Sequence, residues 1–164
     1  MNALILYESK FGNTERLAEA IALALQEALP TRLASVEDVD DCAEALRGVD
    51  LLVVGGPTQR HGISEPLRAS LDCLGETALG GIRAAVFDTR LHGARLVTGS
   101  AAARLVKLLR HRGAWLVVPP ESFIVGGTEG PLLEGELEHA RGWAHVVLGA
   151  VGVRLHGPRE PVAG

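Results

Sequence analysis

Short apolar runs alternate with stretches of helical periodicity along the whole chain, and no other feature restricts the fold as much. The run ALILY (3–7) predicts a first strand. From Thr14 onward, Leu17, Ile21, Leu25 and Leu29 recur every fourth position on one helical face, and Pro30 closes that helix. TRLASV (31–36) predicts a weaker strand, followed by an acidic helical piece over 38–46 with Gly48 after its end. DLLVVGG (50–56) has the unbroken hydrophobicity of a strand covered on both faces. Ser64 reads as the cap of a helix whose Leu67, Leu71 and Leu74 share a face. IRAAVFD (82–88) predicts the fourth strand. A helix over 100–112 follows, with Lys107, Arg110, His111 and Arg112 complementing its carboxyl end and Gly113 as its stop. AWLVV (114–118) predicts a fifth strand, interrupted by PPES before FIV (123–125) because two prolines cannot supply an internal ladder. A last helix over 133–148 turns Leu137, Ala140, Ala144 and Val147 inward.

Five strands alternating with five helices, joined by right-handed crossovers, predict a doubly wound α/β three-layer sandwich with a five-stranded parallel sheet. The 164 residues suit one domain, 1–156, with a frayed Gly/Pro-rich tail at 157–164. An apolar fraction of 47% argues against a disordered chain. A formal charge of −4 gives no general attraction for nucleic acid or anionic lipid, so neither is expected as a partner. Cys42 and Cys73 have no Cys or His at metal-ligand spacing and read as isolated thiols of a reducing compartment, with no metal site. The first apolar run, Leu4 to Tyr7, stops at Glu8, so neither a signal peptide nor a membrane span is expected, and a cytoplasmic location is.

Open sheets of this kind place ligands beyond the carboxyl ends of strands where strand order reverses. Three loops with unusual content leave strands at that edge: 8–14, 55–63 and 88–99. In the first, SKFGNT (9–14), Ser9 and Thr14 offer hydroxyls, Gly12 lets the backbone turn closely, and the helix behind begins with unpaired amides. It carries neither GxxxxGK nor GxGxxG, so nucleoside triphosphates and dinucleotides are disfavoured. Two readings remain at this level: an ordinary turn with a helix cap, or a seat for a phosphate monoester held chiefly by neutral donors.

The segment ILYESKFGNTERLAEAI (5–21) resembles the flavodoxin signature at Ile5, Leu6, Tyr7, Ser9, Gly12, Thr14, Ala18 and Ile21. That resemblance implies the flavodoxin-like fold and non-covalent flavin mononucleotide (FMN). The phosphate would lie on Ser9, Lys10, Phe11, Gly12, Asn13 and Thr14, with Ser9, Asn13 and Thr14 as side-chain contacts. Phe11 departs from the threonine of many flavodoxins. In GGPTQRHGIS (55–64), Gly55 and Gly56 allow close backbone approach and Pro57 fixes the exit. By the resemblance, Pro57, Thr58, Gln59, Arg60, His61 and Gly62 cover one side of the flavin ring. DTRLHG, comprising Asp88, Thr89, Arg90, Leu91, His92 and Gly93, corresponds to the second flanking loop, where Thr89 and nearby backbone suit the pyrimidine edge.

Two departures change what the resemblance implies. Flavodoxins usually stack the ring between Trp and Tyr, whereas these loops offer only His61 and His92, with Leu91 as an apolar alternative. Flavodoxins also surround the ring with carboxylates, whereas Arg60, His61, Arg90, His92 and Arg95 lie in or beside these loops. Opposite charge favours a charged group, so a more easily reduced flavin and a mouth open to an anionic substrate or partner are expected. The leading expectation is an FMN-binding electron-transfer protein, monomer or homodimer, serving a redox partner protein or a small electron acceptor, with no catalytic side chain required. An FMN-dependent NAD(P)H:quinone oxidoreductase, with His61 or His92 moving a proton, is the nearest alternative; a flavodoxin-like binding or scaffold domain without cofactor is the third. No GxSxG elbow supports a hydrolase. Trp115 and Trp143 read as packing residues, His111, His139, His145 and His156 as surface or capping residues, and GGTEGP (126–131), at the same sheet edge as the other loops, as a flexible turn or else a lid or interface element.

Overall fold

The computed structural model describes residues 1–59, 62–76, 78–92 and 101–153. Expectations for Arg60, His61, Gly93, Arg95, His156 and the 157–164 tail fall outside them. The strands are β1 (Ala3–Tyr7), β2 (Thr31–Ser35), β3 (Leu51–Pro57), β4 (Arg83–Leu91), β5 (Trp115–Leu116) and β6 (Glu121–Val125). They form one parallel sheet in the order β2-β1-β3-β4-β5, with β6 sharing the outer edge of β4 with β5. The sheet is therefore five positions wide, its fifth position filled by two segments separated at the prolines, as expected. Strand order reverses between β1 and β3, which pair in register from Ala3↔Leu51 to Tyr7↔Gly55.

Side chains of a strand alternate between faces, and here each face has its own core. Ala3, Ile5 and Tyr7 pack with Leu17, Ile21 and Leu25 of α1 (Asn13–Gln26) and Trp143, Ala144 and Val147 of α5 (Glu136–Ala150). Leu4 and Leu6 pack with Leu67 and Leu71 of α3 (Glu65–Asp72) and Leu105 and Leu109 of α4 (Ala101–His111). Burial of each such side chain stabilises the fold by about 1.5–3 kcal/mol before chain entropy is charged against it. Phe87, Phe123 and Trp143 meet edge to face, with centroids 6.0 to 6.3 Å apart, and lock β4, β6 and α5 together.

Four local expectations are corrected. The acidic stretch 38–46 is not one helix: Val36–Asp38 forms a 3₁₀ turn and α2 spans only Cys42–Ala45. Its start is late because Asp41 Oδ1 accepts from the Ala43 and Glu44 amides, at 2.8 and 3.2 Å, as a cap. Ser64 occupies the cap position of α3 but makes no capping hydrogen bond, because its side chain is fully buried toward the sheet. Residues 88–91 belong to strand β4, not a loop, because β6 continues the ladder from Phe87↔Glu121 to Leu91↔Val125. Trp115 is 74% exposed: β5 is two residues long and outermost, so no strand lies beyond it. Trp143 is buried as expected.

Gly55 lies against the tip of the Phe87 ring, where a Cβ would come within 2.0 to 2.5 Å of Cζ, Cε1 and Cε2. Gly55→Ala is expected to destabilise the protein by about 1–3 kcal/mol through overpacking. Gly75→Ala, where a Cβ meets nothing within 4 Å, should change little. Urea unfolding measures both, and equal midpoints for the two variants would contradict this packing.

Candidate functional site

The chain leaves β1 at Tyr7 and enters α1 at Asn13 through a turn that Gly12 closes in the left-handed region, at φ 81°. A glycine at the cap supplies no side-chain acceptor, and Ser9 substitutes for it: its Oγ accepts from the Glu15 amide at 3.2 Å. Having accepted, that hydroxyl still has its proton to donate. Among the described residues, the backbone N–H groups of Lys10, Phe11, Gly12, Asn13 and Thr14 meet no acceptor. Thr14 is buried with its Oγ1 3.2 Å from Thr89 Oγ1, so whichever donates, one hydroxyl proton remains. Tyr7 turns away from this edge and hydrogen-bonds Glu15 Oε1 at 3.1 Å. Burial first, and Glu15 second, push its phenol up to about 12, so it stays a neutral donor.

These groups open onto a cleft of about 90 Å³ lined by Ser9, Phe11, Thr14, Thr58, Arg90 and Leu91. Arg90 lines the cleft, and its Nε is buried with no hydrogen-bond partner. A larger cavity, about 830 Å³ among Asn2, Gln26 and Arg47, lies at the opposite edge of the sheet and has no such row of amides.

The surrounding loops are braced. Asp88 is fully buried, and its Oδ2 accepts from Thr58 Oγ1 at 2.8 Å and from the Ala102 amide at 3.0 Å. Thr58 accepts in turn from the Ala101 amide at 3.0 Å, and its own amide donates to the Thr89 carbonyl at 2.7 Å. Asp88 is therefore a positioning residue that ties the loop after β3 to the start of α4. Gln59 and Gly62 exchange backbone hydrogen bonds of 3.0 and 2.9 Å. The Asn13 amide group donates to the Glu129 carbonyl at 3.0 Å, and Gly130, at φ +108°, lets the backbone pass against the Asn13 side chain. Of the two readings of the loop 126–131, the flexible turn is therefore set aside: the loop forms part of the cleft's wall.

Of the residues singled out in the sequence, Ser9, Lys10, Phe11, Asn13, Thr14, Pro57, Thr58, Thr89, Arg90 and Leu91 converge on the cleft. Gly12 forms the turn, Gln59 and Gly62 pair behind it, and His92 is exposed at the end of β4. Val125 and Thr128 also line the cleft and were missed; the signal was the position of FIVGG at the same sheet edge. Among the described residues no cluster of His, Cys, Asp or Glu could hold a metal ion, and no helix is long and apolar enough to cross a membrane.

Glu8, also missed, is 5% exposed where β1 ends. Burial raises its pKa above the ordinary carboxylate value; Ser64 pulls weakly the other way, Glu37 adds repulsion and Lys10 attraction. Neither Glu8 Oε2 nor Ser64 Oγ makes a well-formed hydrogen bond. A carboxyl whose pKa is higher in the fold than in the unfolded chain favours folding below the unfolded value, and that contribution is lost as pH rises through the folded value. Glu8→Gln is therefore expected to raise stability at pH 8 by about 1–3 kcal/mol. The gain should vanish near pH 4 in thermal unfolding followed across pH; a gain that grew toward acid would contradict the assignment.

Comparison with known proteins agrees with this arrangement. The model of the flavodoxin family matches residues 5–143. No curated protein matches the sequence. Among solved structures, oxidised Flavodoxin 2 from Bacillus cereus superposes with a TM-score of 0.76 at 25% identity, covering 91% of this chain and 99% of its own. Oxidised Flavodoxin 1 from the same organism gives 0.77 at 20% identity, covering 91% and 98%. A flavodoxin, WrbA-like protein from Agrobacterium tumefaciens gives 0.71 at 24%, covering 93% and 99%. With the strand order, the turn at Gly12 and the family match over most of its length, the chain belongs to the flavodoxin family.

Proposed function

We propose that this protein binds FMN non-covalently and carries electrons to a redox partner protein or a small acceptor. The observation that carries this reading is the run of five amides, Lys10 to Thr14, that meet no acceptor among the described residues, on a turn whose Ser9, Lys10, Phe11, Asn13 and Thr14 line a small cleft together with Arg90. Amides and the α1 dipole favour an anion there, by about 0.3–1 kcal/mol from the dipole alone. Ser9 and the Thr14–Thr89 pair each keep a hydroxyl proton to give to ester oxygens, and Arg90 supplies the charge. When bound, FMN supplies the one- or two-electron chemistry; the chain anchors, orients and tunes it.

Trp143 and Tyr7 are committed to the core, so neither is available to the ring. Phe11 and Leu91, 45% and 40% exposed at the cleft, are the apolar surfaces that would meet it instead. Lys10 and Arg90 stand at this edge, and positive charge there favours a reduced, anionic flavin. The same basic mouth is what favours the second reading, an FMN-dependent quinone reductase, over a scaffold domain. Steady NADPH turnover with a quinone by the purified, FMN-loaded protein would select it over the carrier.

FMN titration followed by flavin fluorescence quenching tests the reading, and failure to bind would overturn it. Arg90→Gln is expected to weaken FMN about tenfold, or about 1.4 kcal/mol. It should also lower the two-electron midpoint potential by about 30 mV, which for two electrons is about 1.4 kcal/mol. An unchanged affinity and potential would remove Arg90 from this role.

A further inference from the structure

A second surface lies outside the cleft. The groove between α3 and α4, about 520 Å³, has a floor of Ile63 and Leu108, both half-buried, and a rim of Arg68, Arg104, Lys107 and Arg112. Its one carboxylate, Asp72, is already neutralised: Arg68 Nε and Arg112 Nη2 each lie 3.4 Å from it. Even with His111 uncharged, the groove therefore keeps a positive excess. The wider charge pattern runs the same way. Residues 51–112 carry nine Lys or Arg against four Asp or Glu, whereas residues 1–50 carry four against ten and residues 113–164 three against six. The excess of basic residues thus falls in the stretch of sequence that supplies this groove, and a locally positive surface steers and orients an oppositely charged partner.

We propose that this groove docks an acidic amphipathic helix on the surface of a partner protein. The apolar floor would take the helix's apolar stripe, and the net positive rim, with Lys107 exposed upon it, would attract its carboxylates, the helix-in-groove mode of recognition. A small anion suits the groove less well, since compact ligand sites enclose most of their ligand, whereas Arg68, Arg104 and Lys107 here are long, exposed side chains of two separate segments. The groove also adjoins the cofactor cleft. The Arg104 stem lies against Gly62, which pairs with Gln59, and Thr58 one residue earlier lines the cleft. A partner seated on α3 and α4 therefore touches the loop that flanks the flavin. That the partner is a redox protein rests on the FMN-carrier reading; the chemistry of the docking does not.

The test uses the full chain, without and with FMN, and a 15-residue Glu-rich helical peptide with Leu at every fourth position. Amide shifts in an NMR titration are expected at Ile63, along α3 and along α4, with affinity falling as salt rises from about 20 to 200 mM, since exposed charges are screened over that range. Lys107→Glu should weaken binding at least about threefold and Lys107→Met less, the scale of an exposed charge contact. Arg141→Glu, on the other face of the sheet, should leave it unchanged. Equal loss in Arg141→Glu, shifts elsewhere, or duplex DNA or inorganic pyrophosphate binding the groove more tightly than the peptide would each overturn the proposal. Peptide binding that persists in a protein unable to bind FMN would leave the docking site standing while the carrier reading fell; FMN binding without peptide binding would do the reverse.

Discussion

The site depends on one backbone turn. Gly12, in a conformation that L side chains rarely adopt, swings the chain from the end of β1 into α1 within five residues, so the first amides of the helix emerge at the sheet edge where strand order reverses. Ordinary helix starts bind these amides with a Ser, Thr or Asp side chain. Here the cap is a glycine and Ser9 reaches only the Glu15 amide, which leaves the amides of residues 10–14 without an acceptor among the described residues. The sheet fixes that turn from below through the β1–β3 ladder, and Thr14 and Asn13 fix it from the sides through Thr89 and the 126–131 loop.

Strand β4 shows how one element both packs the core and lines the cleft. Successive side chains point to opposite faces, and each does something different. Phe87 fills the α1–α5 core against Gly55, while Asp88 spends its carboxylate on Thr58 and the start of α4. Thr89 meets Thr14, and Arg90 brings its charge to the cleft. A buried carboxylate with internal partners acts as a brace, whereas a guanidinium whose Nε lacks one is suited to an incoming anion.

Much of this was legible in the sequence. Leu17, Ile21 and Leu25 mark the buried face of α1, and the uniform run at 51–54 marks a central strand, because burial on one face or two writes a period directly into composition. The glycine turn into α1 was legible because Ser9, Gly12 and Thr14 lie close together in the chain. What escaped notice depended on distant segments. Asp88 reads as a loop ligand until Glu121–Val125 extends the ladder beside it, and the 126–131 loop reads as free until Asn13 reaches Glu129 across 116 positions. Trp115 reads as core because large aromatics usually are, and only the shortness of β5 exposes it. Glu8 left no signal at all, since a charged residue just after a strand is ordinarily solvated.

The central claim is that the ester group is held by the amides of residues 10–14. Riboflavin has the same ring and lacks only that group, so paired fluorescence titrations of FMN and riboflavin isolate it. The account predicts that FMN binds at least about a hundredfold more tightly, equivalent to about 2.8 kcal/mol. Riboflavin bound within about threefold of FMN would contradict it.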